Sequence, residues 1–194
     1  MSMILSIREI FDILVMTVAV GYIFMDMWRQ FGAFGHHIGF DVRSFKMACI
    51  ATAPALIVHE LFHKFVALAF GLFAVFHASY FWLIFGVILK SLNSPLLFFV
   101  PAYVSIDCAA PNCIISPLSS ALVAFAGPFA NLLLFVVSKL YLRNKRLPMK
   151  KRIVFYVTQQ INLFLFIFNM LPFPLFDGFK VYEGLFLFLK PFFG

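Results

Sequence analysis

The sequence predicts an all-α membrane protein, a polytopic bundle of about five to six transmembrane helices. Three observations predict it. Of 194 residues, 63% are hydrophobic and only 12% charged, with a mean hydropathy of +1.00. A soluble domain is nearer half apolar and a quarter charged. The 29 phenylalanines supply more apolar surface than a water-soluble chain of this length can hide. The apolar runs are also continuous rather than alternating, which argues against a closed β-barrel.

The elements follow in order. The first apolar run, 10–28, approaches the roughly 20 residues of one crossing. It lacks a short apolar core followed by a small-residue cleavage site, so it reads as a retained span and not a signal peptide. The second run is 47–71. The third, 78–92, is short, and either tilts, re-enters or crosses. The segment "SPLLFFVPAYVSI", 94–106, is apolar but carries two prolines, and reads as re-entrant or extended rather than helical. Runs at 118–141 and 153–171 can span, and a shorter one, 179–193, closes the chain. No internal repeat or second domain interrupts this pattern. The chain reads as one transmembrane domain, 1–194, located in the cell membrane as a multi-pass protein, with its motifs between about 47 and 190.

Six basic residues fall between Arg143 and Arg152 with no acid among them. Between apolar spans such a cluster marks a cytoplasmic loop, and the absence of interleaved aromatics speaks against a nucleic-acid partner. If 78–92 crosses and 94–106 does not, the helix with residues 47–71 and the helix with 118–141 both run from outside to inside. The loops 29–46 and 93–117 then lie outside. Cys108 and Cys113 share "DCAAPNC", a spacing that fits no common zinc motif; a disulfide and two free thiols are both open. Cys49 lies in an apolar run and reads as packing.

The chemistry sits at "VHELFHKF", 58–65. Charge in hydrocarbon costs several kcal/mol per group and usually pairs or serves function. On a helix, positions i, i+1 and i+4 fall near 0°, 100° and about 40°, so His59, Glu60 and His63 share a face. Two imidazoles one turn apart can ligate one Zn²⁺, and the intervening glutamate can act as general base. Composition alone would produce the pattern only about 0.002 times in a chain like this. The plain alternative is a buried polar cluster that holds helices together. Lys64 snorkels or pairs with an acid, and Pro54 kinks the helix before the motif.

Two histidines leave zinc short of a third protein ligand. After residue 100 the acids are Asp107, Asp177 and Glu183. Asp177 is framed by Pro172, Pro174 and Gly178, and irregular backbone at membrane depth is tolerated only inside protein or beside a cavity. A plain interfacial turn explains that setting equally well. In "AGPFANLL", 126–133, Gly127 and Pro128 interrupt a span and Asn131 places an amide within it. That amide can meet an oxyanion, orient a neighbour or tie two helices together.

"HELFH", "GPFAN" and "NMLPFPLFDG", in this order and in apolar spans, resemble the site-2 protease family of intramembrane zinc metalloproteases, over roughly residues 50–190. The resemblance implies one zinc per chain held by His59, His63 and Asp177, with Glu60 as catalytic base. It places Asn131 and Asn169 at positions that contact substrate or an oxyanion. It implies a compact member whose substrate is a transmembrane segment of another protein within the lipid bilayer, and a membrane strand that pairs with extended substrate. The region 78–117 is longer than the strand-bearing connection of many members. The family's Asp-Gly site lies near the cytosolic face, whereas loop charge sends 153–171 outward. The metal constellation takes precedence over the loop count. Two other classes remain compatible with the sequence: a non-proteolytic membrane metal-binding protein or transporter, and a zinc hydrolase acting on a lipid or small amphiphile.

Overall fold

The computed structural model describes residues 6–29, 40–94, 102–108 and 115–193. Its order is α1 (Ile7–Arg29), α2 (Val42–Ala69), β1 (Leu72–Ala78), α3 (Tyr80–Ser91), β2 (Ala102–Cys108), α4 (Pro117–Leu142), α5 (Met149–Asn169) and α6 (Asp177–Phe193). The fold is mostly helical. Among the described residues two helices, α2 and α4, are long and apolar enough to cross a membrane.

The helix starts are written locally. Asp41 caps α2 by accepting from the backbone N–H of Arg43 and Ser44 at 3.1 and 3.0 Å. Ser116 caps α4 through Ser119 N–H at 3.0 Å, with Pro117 in the first turn, where its missing N–H costs nothing. Gly71, at φ +67°, ends α2 in a conformation that a side chain disfavours and turns the chain into β1.

The sheet corrects the all-α expectation. β1 and β2 pair antiparallel, with Leu72 opposite Cys108 and Ala78 opposite Ala102. β1, "LFAVFHA", fills the gap between the runs 47–71 and 78–92, where the sequence reading assigns no strand. Its alternation appears in burial: Leu72, Ala74, Phe76 and Ala78 are buried while Phe73 and Val75 are exposed. The extended segment expected near 94–106 appears as β2 at 102–108; residues 95–101 lie outside the described part. Cys108 is disulfide-bonded and Cys49 is a free thiol. Cys113 lies outside the described residues.

Two buried acids of α1 fasten the outer edge of β1. Phe76 N–H donates to Glu9 Oε1 at 3.1 Å, and Ala78 N–H donates to Asp12 Oδ2 at 3.3 Å. Glu9 also takes the ammonium of Lys64 at 2.6 Å, so the lysine beside the histidine motif pairs with an acid.

Contacts fix the direction of the core helices. Asn131 meets Ala55 and His59, while Val123 meets His63. Advancing along α2 retreats along α4, so the two are antiparallel. A bilayer crossing at 78–92 would make them parallel. α3 has 12 residues, about 18 Å, well short of the roughly 30 Å hydrocarbon core. The expected crossing at 78–92 is therefore corrected, and the sheet and α3 form one connection between two antiparallel helices. The disagreement between loop charge and the family's Asp-Gly geometry does not depend on that crossing, because a cytoplasmic 143–152 sends α5 outward either way.

Candidate metal centre

Three elements deliver the site. α2 brings His59 and His63 on one face, with Glu60 beside them. α4 passes directly behind. The α5–α6 turn returns Asp177 to the same point. His59 Nε2 and His63 Nε2 are 3.1 Å apart, and each lies 3.3 Å from Asp177 Oδ2. All three residues are buried.

The protons show what this triangle can hold. His59 Nδ1 is 2.5 Å from Asn131 Oδ1, and His63 Nδ1 is 2.7 Å from Val123 O. Both partners are carbonyl oxygens and only accept, so each imidazole carries its proton on Nδ1. Both Nε2 atoms then present lone pairs to each other and to a carboxylate. Three acceptors at 3.1–3.3 Å with no donor between them repel, and a cation removes the repulsion. Zinc bonds of about 2.0–2.1 Å in tetrahedral geometry set ligand atoms about 3.3–3.4 Å apart. The observed triangle has the size of one face of that tetrahedron, so the residues fit zinc and leave the fourth direction open.

Asn131 is fully buried and completely used. Besides holding His59, its Nδ2 donates to Ala55 O at 3.2 Å and to Asn162 Oδ1 at 2.9 Å. Of the three uses open to it from sequence, it orients a neighbour and ties helices together. Asn162, whose Nδ2 donates to Thr158 O at 2.8 Å, is a site residue that sequence reading missed. Its signal was a lone amide in the apolar run "INLFLF".

Gly127 was also missed as a functional position. A Cβ there would overlap Nε2 of both His59 and His63. Glycine lets α4 approach to within contact of the ligand atoms. Gly178 does the same for Asp177: a Cβ would sit 2.6 Å from Met170 C, so the first turn of α6 rests on the backbone that ends α5.

Glu60 is 2% exposed, and its Oε2 finds no hydrogen-bond partner among the described residues. A buried, unpartnered carboxylate oxygen is costly and marks a position kept for function. Beside it lies a cavity of about 10 Å³, the room of one water. Met16, His59, Glu60, Val104, Asn169 and Asp177 are among its walls. Asn169, from the end of α5, thus faces the same space as Glu60, whereas Asn131 does not.

Among known proteins, this chain is similar to one of Methanocaldococcus jannaschii named "Putative zinc metalloprotease". The two are 36% identical over 177 residues, covering 91% of this chain and 84% of that one. No family model matches the chain, and no solved structure matches it.

Proposed function

The chain belongs to the zinc metalloprotease family of that archaeal relative, and on that premise we propose that it is an intramembrane zinc endopeptidase of the site-2 type. The observation that carries the reading is the convergence of two Nε2 lone pairs and one carboxylate oxygen beside an unpartnered Glu60 and a water-sized cavity. Zinc held by His59, His63 and Asp177, one per chain, would supply Lewis-acid polarisation of a carbonyl and of water. Glu60 takes a proton from water in the cavity as the water oxygen bonds to the peptide carbonyl carbon. It returns that proton to the amine as the C–N bond breaks. Asn131 holds His59 in the tautomer that offers Nε2. Asn169 offers an amide to the developing oxyanion from the cavity wall.

The substrate is a transmembrane segment of another protein. Support for the membrane comes from α2 and α4, and from the large apolar side chains that α1 and α5 leave exposed, Ile10, Phe11, Leu14, Val18, Tyr156 and Ile167 among them. With α1 and α5 also crossing, the single domain sits in the cell membrane as a multi-pass bundle. A helical substrate hides its carbonyls and must unwind before attack. Ala102 and Val104 of β2 line the cavity, so the outer edge of β2 is where unwound substrate pairs as an added strand.

The test compares wild type with Glu60→Gln in the same detergent or bilayer. Both carry about one zinc per chain, and only wild type cuts a synthetic transmembrane peptide. Cleavage of a lipid ester in place of the peptide would reassign the substrate. Wild-type cleavage by Glu60→Gln would remove the general base.

A further inference from the structure

We propose that Lys180 is a substrate-displaced latch on the outer edge of β2, an inference that rests on the strand-pairing reading above. Among the described residues the sheet has two strands and so two outer edges. The β1 edge is taken by α1, through Glu9 at Phe76 N–H and Asp12 at Ala78 N–H. Phe76 stands opposite Val104 in the antiparallel register. Since Phe76 turns its N–H away from β2, the pair is a non-hydrogen-bonded one, and Val104 turns its own N–H and C=O away from β1. The Val104 carbonyl thus belongs to the outer edge of β2, whose side chains at 102 and 104 line the cavity.

That carbonyl is occupied. Lys180 Nζ donates to Val104 O. Lys180 lies on α6 three residues after Asp177, so the two share a face of the helix about one turn apart. Its side chain crosses from the element that carries the metal ligand to the edge beside the cavity. A strand pairing with β2 at Val104 must place its own N–H on the same oxygen. The ammonium and the substrate amide compete for one acceptor. Among the described residues Lys180 makes no ion pair, so release costs this one charge-assisted bond and not a buried salt bridge. The contact closes the edge to strands that pair poorly and yields to those that pair along its length.

The size of the effect follows from that bond. A hydrogen bond to a charged donor is worth roughly tenfold or more in an equilibrium constant. Lys180→Met, of similar length but without the donor, should lower the KM for a cleaved transmembrane peptide about tenfold, with kcat and zinc content held. Lys180→Arg keeps a donor at the same reach and should behave as wild type. The same peptide should bind Glu60→Gln/Lys180→Met about tenfold more tightly than Glu60→Gln, a comparison that involves no turnover. An unchanged or raised KM and Kd in the Met variants overturns the latch, whatever the catalytic activity. Peptide that binds neither Glu60→Gln protein overturns the latch together with strand pairing, while zinc-dependent cleavage lost in Glu60→Gln would leave the protease reading standing.

Discussion

Gly127 carries no side chain, and the metal centre depends on that. A methyl there would occupy the space of the two Nε2 atoms. Overpacking in an apolar core costs about 1–3 kcal/mol, but here the atoms pushed aside are the ligands. Gly127→Ala should therefore keep the fold in detergent yet weaken zinc binding more than tenfold, read by metal content after competition with a chelator. Full zinc occupancy would mean that α4 is not seated against the imidazoles. Asn131 gives a graded companion test. Asn131→Ala strands His59 Nδ1–H, Ala55 O and Asn162 Oδ1, and the loss of such a supporting bond costs 10–100-fold in metal affinity. Asn131→Asp keeps the acceptor for His59 and should bind zinc better than Asn131→Ala. Equal affinity in the two variants would show that the orienting bond to His59 is not what matters.

Elements meet at the Glu9–Lys64 pair. Glu9 joins α1 to α2 through the ammonium and to β1 through Phe76 N–H, so one carboxylate sets where the sheet lies over the metal site. Removing one partner of a buried pair leaves an uncompensated charge, at about 3–5 kcal/mol. Glu9→Ala should lower the thermal midpoint sharply. Glu9→Ala/Lys64→Met should recover part of the loss, since the stranded ammonium is gone. A double variant as unstable as the sum of the two singles would dismiss the coupling. This pair also shows what sequence could reach. The pattern of His59, Glu60 and His63 was legible because a helix converts spacing into a shared face. Asp177 was legible as a candidate from its prolines and glycine, and its meeting with His59 across 118 positions needed the fold. The partner of Lys64 was not legible, because nothing local to α2 points to α1. β1 was hidden for a different reason: apart from His77 both of its faces are apolar, so period 2 does not separate from period 3.6.

At the scale of the molecule, the antiparallel packing of α2 and α4 has a consequence that a membrane can test. α4 has 26 residues, about 39 Å, enough to cross the roughly 30 Å hydrocarbon core. Its N-terminal half carries Val123 and Gly127 against the histidines, and its C-terminal end leads into the basic segment 143–152. The sheet and the turn bearing Asp177 lie toward this N-terminal half, while α3 runs back along α1, from Tyr80 at Asp12 to Ser91 at Tyr22. The metal centre thus sits in the half of α4 away from the basic segment, so if α4 crosses, the site lies nearer the face opposite 143–152. Ile115→Cys sits just before α4 and Lys145→Cys just after it, and both native residues are exposed. In sealed vesicles a membrane-impermeant thiol reagent should reach one of these from outside and the other only after the membrane is opened. Labelling of both from the same side would mean that α4 does not cross, and would undo the multi-pass reading. The positive-inside rule puts Lys145 in the cytoplasm, and with it the site toward the outer face. The Asp-Gly geometry of the site-2 type puts the site toward the cytoplasm and Lys145 outside. Antiparallel packing makes those two placements mutually exclusive, so the side on which Lys145→Cys labels chooses between them.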